Sequence, residues 1–122
     1  YQFTDGNVNE PVLVIQSTPA TITGGSGTVT AAQLLAGIVI TSNATPGTQT
    51  LPTVALLEAA LVNPKADSGF EVSFINTGGA TLTVAVGTGW TIVGTATAAT
   101  LTSALFRARK TGDGAWTLYR IV

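Results

Sequence analysis

Hydrophobic and polar residues alternate over much of the chain, which is the pattern of β-strands with one buried face. The alternation is clearest in residues 70–75 (FEVSFI) and 81–86 (TLTVAV), on either side of the turn-forming residues 76–79 (NTGG). A three-residue loop keeps both apolar faces on one side of a hairpin, whereas a shift of one residue would separate them. The pattern predicts an antiparallel hairpin in which Phe74 pairs with Leu82, Val72 with Val84 and Phe70 with Val86.

A second hairpin is predicted at the end of the chain, from residues 101–110 and 115–122 around the turn 111–114 (TGDG). Its register stays open because the loop can hold an even or an odd number of residues. An even loop points Phe106, Ala108, Tyr119 and Ile121 inward and Arg107, Arg109, Arg120 and Trp116 outward. An odd loop places Trp116 and Leu118 inside with Phe106.

Two segments have the pattern of helices. Residues 52–62 predict a helix with Pro52 in its first turn, Val54, Leu57 and Leu61 on one face, and the pair Asn63-Pro64 as its stop. Residues 30–37 (TAAQLLAG) predict a very short helix between a threonine cap and a glycine terminator.

Residues 1–29 are interpreted as an extended N-terminal arm, because turn-forming residues and a flexible glycine-rich loop fill most of this segment. It contains one apolar burst, Val12, Leu13, Val14 and Ile15. This burst suits a short strand, which could pair with a neighbouring subunit's sheet edge or form the first strand of the chain's own sheet.

Short strands are also predicted at residues 38–41, 48–51 and 90–93, which gives about eight strands in all. The fold class expected from this spacing is all-β. The expected architecture is a jelly-roll-like β-sandwich or barrel over residues 30–122, with one short helix near residues 52–62 and the arm over residues 1–29.

Charged residues make up only 9% of the chain and hydrophobic residues 45%, with a net charge of −1. An ordinary soluble domain is about 25% charged, so this surface has little electrostatic protection against association. Either the chain is a neutral, threonine-coated β protein or its surface is largely covered by neighbouring subunits, and we favour the second interpretation. No apolar run approaches the roughly 20 residues of a membrane span, so no membrane partner is expected.

The sequence offers no recognisable catalytic, cofactor or metal site. There is no cysteine and no histidine, which removes thiolate chemistry, the commonest general base and the commonest metal ligands. The carboxylates lie in polar or turn-like contexts with no visible pairing. We therefore predict that the protein is not an enzyme and holds no cofactor.

The charge concentration in the closing hairpin consists of Arg107, Arg109, Lys110 and Arg120, with Trp116 and Tyr119 nearby. Contacts of Arg107, Arg109 and Arg120 with acidic residues of a neighbouring subunit are our first interpretation. A ligand platform built on Trp116 and Tyr119 is the second. A nucleic-acid partner is not expected because the chain is slightly acidic overall.

Several motifs resemble small β-rich structural proteins of tailed bacteriophages, in particular capsid decoration (cement) proteins and related modules of heads and tail fibres. The resemblance spans roughly residues 28–122. It rests on residues 30–37 (TAAQLLAG), 51–53 (LPT), 74–79 (FINTGG), 87–90 (GTGW) and 109–116 (RKTGDGAW).

The resemblance implies a virion protein, trimeric, seated on the outer capsid surface where it bridges neighbouring copies of the major capsid protein. Within that interpretation the arm residues 12–15 and the arginines of the closing hairpin are the expected contacts. The alternative that it implies is a receptor- or carbohydrate-binding module of a phage head or tail fibre.

Overall fold

A computed structural model of the protein describes residue 13 and residues 15–122. Within these residues the chain is mostly β, with two mixed sheets and two short helices. In chain order the elements are β1 (Ala20–Thr23), β2 (Gly27–Thr28), α1 (Ala31–Leu35), β3 (Ile38–Ser42), β4 (Gly47–Thr50), α2 (Val54–Ala59), β5 (Gly69–Asn76), β6 (Leu82–Ala85), β7 (Trp90–Val93), β8 (Thr97–Ala98), β9 (Ser103–Gly112) and β10 (Ala115–Arg120).

Consecutive strands from β1 to β8 alternate between the two sheets. The six-stranded sheet has the order β1-β3-β5-β9-β10-β7, and the four-stranded sheet has the order β2-β4-β6-β8. The chain therefore winds from one sheet to the other and back, so β1, β3 and β5 are parallel, as are β2, β4 and β6. Val39 pairs with Phe74 and Gly47 with Leu82, a shift of 35 residues in both sheets.

The predicted hairpin of residues 70–86 is wrong in its pairing, although both of its strands are present. β5 pairs with β3 and β9, whereas β6 pairs with β4 and β8 in the other sheet. The residues between them, 77–81, carry the chain from one sheet to the other. Alternation identifies which face of a strand is buried, but it does not identify the strand's partner.

Both predicted helices form, and each begins after a threonine cap, of which only Thr30 is predicted from the sequence. Thr30 and Gln33 make a reciprocal capping box at the start of α1, and Gly37 follows the helix with a positive φ of 87°. At α2 the cap is Thr53, whose hydroxyl accepts a hydrogen bond from the Leu56 amide. The helix is shorter than predicted, and Pro52 precedes it.

One hydrophobic core joins the inward faces of both sheets and both helices. Phe74 of β5 and Phe106 of β9 meet edge to face, with ring centroids 5.9 Å apart. In the closing hairpin Leu118 pairs with Ala108, and the register shifts between Ala115 and Trp116. Trp116 and Leu118 are buried, so the odd-loop alternative is the one observed.

The expected all-β class is confirmed, but the jelly-roll arrangement is not, since five of the eight strand pairs are parallel. Ten strands are present in the described part of the chain, compared with about eight predicted. Residues 20–28 of the predicted arm form β1 and β2, which pair with β3 and β4. Val29 is buried in the core, so this part of the arm belongs to the sheets.

Candidate interaction surface

The outward arginines of β9 are paired with acidic residues of the same chain. Arg107 contacts Glu71 at 2.6 Å, and Arg109 contacts Asp67 at 2.7 Å. Both arginine side chains stay about half exposed, at 58% and 44%. Exposed pairs of this kind contribute little to stability because solvent screens them, so a partner's carboxylates can replace Glu71 and Asp67.

Tyr119 lies against Arg109 on the neighbouring strand. Its hydroxyl oxygen accepts hydrogen bonds from the Arg109 guanidinium at 3.0 and 3.1 Å, and the guanidinium lies 5.8 Å from the ring centroid. These hydrogen bonds, with a smaller contribution from Asp67, raise the pKa of Arg109. Tyr119 is thereby held in place by its own chain.

Arg120 is occupied by backbone carbonyl groups. Its guanidinium donates to the carbonyl oxygens of Val122, Thr95 and Thr97 at 2.7–2.9 Å. It lines an open groove on the surface together with Thr95, Thr97, Ala99, Thr102, Ser103 and Val122. The predicted contact residue Arg120 therefore fixes the connection between β7 and β8.

Lys110, counted with the surface arginines in the sequence, is buried instead. Its ammonium donates to the Glu58 carboxylate of α2, and the Trp116 indole N–H donates to the same carboxylate oxygen at 3.0 Å. The hydrogen bond from Lys110, followed by that from Trp116, lowers the pKa of Glu58. The sequence contains one signal of this cluster that was not used: Lys110 follows Phe106 and Ala108 with the period of an inward-facing strand.

The ligand platform predicted on Trp116 and Tyr119 is not formed. Trp116 is 1% exposed and packs against Phe70 and Trp90, with ring centroids 5.8 and 5.9 Å away. A buried indole cannot stack on a sugar or a base, so this prediction is wrong for Trp116. An exposed Trp116 requires the even-loop register, which is not the register observed.

The apolar burst of the predicted arm is only partly described. Val12 and Val14 lie outside the described residues, whereas Leu13 is 86% and Ile15 100% exposed, and neither belongs to a strand. The adjacent Gln16 side chain donates to the Ala36 carbonyl at the end of α1, at 2.6 Å. The large apolar side chains of Leu13 and Ile15 are thus exposed to solvent next to Gln16, whose hydrogen bond anchors this segment to the end of α1.

Across residue 13 and residues 15–122, no group of three or more acidic side chains is arranged to hold a metal ion. Neither of the two helices in this part is long and apolar enough to cross a membrane. The predictions of no catalytic site and no cofactor stay predictions.

Comparison with known proteins gives no match: no family model, no curated protein and no solved structure is similar to this chain. The resemblance to phage decoration proteins stays a prediction from the sequence motifs.

Proposed function

We propose that the protein is a β-sandwich subunit that decorates the outer surface of a phage capsid and stabilises it by bridging neighbouring copies of the major capsid protein. In this proposal it acts as a homotrimer and performs no chemistry. Its mechanism is the burial of surface across subunit boundaries, which resists the pressure of packaged DNA.

The observation that carries the proposal is the exposure of Leu13 and Ile15 beside the Gln16 anchor. Fully burying one such side chain contributes about 1.5–3 kcal/mol, and the described fold provides no burial for Ile15. The scarcity of charge supports the same conclusion, because the surface of a chain with only 9% charged residues loses little hydration when it is covered.

Arg107 and Arg109 are the proposed polar contacts to the capsid. They are half exposed, and their ion pairs with Glu71 and Asp67 lie in solvent, so exchange for a capsid carboxylate has a small net cost. Arg120 is left out of this proposed contact because its donors are occupied by carbonyl groups.

Binding to particles tests the proposal. Capsids of the encoding virus, stripped of this protein, are mixed with the full chain or with the double variant Leu13→Asp/Ile15→Asp, and bound protein is measured by sedimentation. We expect the wild type to saturate the particles and the variant to lose at least tenfold in affinity. Val62→Asp, at an equally exposed residue of the α2–β5 connection, is the matched control and should bind as the wild type does. Equal binding by both variants would contradict the role of the apolar segment.

A further inference from the structure

Among the described residues, the edge strands of both sheets carry no charge. β1 and β7 are the edge strands of the six-stranded sheet, and β2 and β8 are those of the four-stranded sheet. Their sequences are ATIT, WTIV, GT and TA. Every charged residue within a strand lies instead on β5, β9 or β10, inside the six-stranded sheet.

This distribution is the reverse of the usual one. Proteins whose edges must stay free place lysine, proline or inward charges on the edge strands, because an unpaired edge is a template for another strand. Here the charged residues lie on strands that already have a neighbouring strand on both sides. The edges are therefore suited to pairing rather than protected from it.

The β7 edge also has apolar side chains beside it. Val93 is 54% exposed at the end of β7, and it pairs in register with Tyr119 of β10. Ile121 and Val122, which follow β10 directly, are 46% and 75% exposed. An added strand would gain backbone hydrogen bonds from the edge and apolar contacts from these side chains.

Among the described residues, Leu13 and Ile15 are large apolar side chains that lie exposed outside any strand, and their segment suits this edge. In its own molecule the hydrogen bond of Gln16 places the segment near the start of β3, several strands away from the β7 edge. Gln16 is fixed at the Ala36 carbonyl, just before β3, and β3 and β7 are separated by four strand spacings, or about 19 Å. The three residues from Leu13 to Ile15 span only about 10 Å when extended.

We propose that the segment containing Leu13 and Ile15 of one copy adds as a strand to the β7 edge of a second copy. The inference rests on the proposed function and refines it: the segment is buried between copies, and the loss of particle binding expected for Leu13→Asp/Ile15→Asp then follows from loss of the multivalent assembly. The segment and the β7 edge are different surfaces of the molecule, so the contact is head to tail. It closes into a ring, such as a trimer, if the rotation between copies allows closure.

Mixed cysteine cross-linking tests the contact. The chain has no cysteine of its own, so every disulfide formed joins two introduced residues. Full-length Ile15→Cys protein is mixed with full-length Val93→Cys protein under a mild oxidant, and disulfide-linked dimers are quantified by mass. We expect this mixture to give several-fold more dimer than Ile15→Cys mixed with Val62→Cys, which is a matched exposed position away from the edge. A yield no higher than that of the control mixture, or one matched by Ile15→Cys alone, would overturn the head-to-tail contact.

A charge placed on the edge gives a second measurement in the absence of particles. In sedimentation velocity the wild type and Val62→Lys should form oligomers, whereas Val93→Lys and Ile15→Lys should shift to monomer. Wild-type protein that stays monomeric, or Val93→Lys protein that assembles as Val62→Lys does, would refute the inference. Particle binding without self-association would leave the capsid-decorating role standing but overturn both the trimer and the edge contact, and self-association without particle binding would leave only the edge contact.

Discussion

At the scale of single residues, the cluster of Glu58, Lys110 and Trp116 connects α2 to the closing hairpin. Glu58 of α2 and Lys110 of β9 both border the core, and each charge offsets the free-energy cost of burying the other. The alternation of residues 106, 108 and 110 could have indicated an inward Lys110. Its partner could not be identified from the sequence, because α2 and β9 are far apart along the chain.

Glu58→Gln should make stability less dependent on pH. The folded-state pKa of Glu58 lies below its ordinary value of 4.5, so the ionised group stabilises the fold above that pH, and this contribution is lost as the pH falls through the folded-state pKa. We expect the variant to unfold at lower denaturant concentration than the wild type at neutral pH, with the difference shrinking below pH 4.5. Urea titrations across this range measure it.

The control for this prediction is Glu71→Gln, which removes an exposed ion pair. Its effect at neutral pH should be small, because exposed pairs contribute little. A difference between wild type and Glu58→Gln that stays constant from neutral to acidic pH would contradict the assignment.

Asn76 is another residue whose role the sequence does not reveal. Its pattern indicates a turn residue, but the side chain is 2% exposed. The amide nitrogen contacts the carbonyl oxygens of Ala80, Ala98 and Ala99 at 2.7–3.2 Å, and the amide oxygen accepts from the Gly78 amide. It thus fixes the crossing between the sheets by binding two separate connections.

Asn76→Ala should lower the free energy of unfolding by about 1–3 kcal/mol, because it leaves buried carbonyl groups without a donor. Asn76→Asp should be at least as destabilising, since carboxylate oxygens would then face those carbonyls. Chemical denaturation of the three proteins checks this, and an unchanged midpoint for the alanine variant would show that the crossing does not depend on the amide.

At the scale of elements, the sequence identifies strands and helices better than it identifies their neighbours. Strand β7 and the Thr30 cap of α1 lie where the pattern predicts them, because alternation and capping are local properties. The partners of β5 and β6 were mispredicted because residues 76–79 look like a tight hairpin loop. Tertiary contacts of Asn76 and Gly78, which no local pattern encodes, redirect the chain.

Gly78 and Gly79 provide a matched test of the parallel winding. A Cβ atom at Gly78 would lie 2.4 Å from the backbone of Asn43 in the adjacent turn of the chain, whereas one at Gly79 would meet nothing within 4 Å. Gly78→Ala should therefore cost about 1–3 kcal/mol, as overpacking does, and Gly79→Ala should be close to neutral. Thermal unfolding of the two variants measures the difference. If the two variants were equally stable, the result would favour the hairpin predicted from the sequence and contradict the observed parallel winding.

At the scale of the whole molecule, the arrangement separates a fixed interior from uncharged edges and an exposed apolar segment. Composition alone predicts that part of the surface is covered by a partner, because the chain has few charged and many apolar residues. Which surface is covered depends on the strand order, since only the sheet topology shows that β1 and β7 are edges. The proposed capsid role accounts for these features through interface burial.

Stabilisation of the particle is the effect that a cement protein must produce. DNA-filled particles lacking the protein would be heated with and without saturating wild-type chain, and DNA release would be followed by a fluorescent dye. We expect the bound protein to raise the release temperature, and the Leu13→Asp/Ile15→Asp variant at the same concentration to leave it unchanged. Particles that carry the bound protein and release DNA at the same temperature as bare particles would contradict the proposed function.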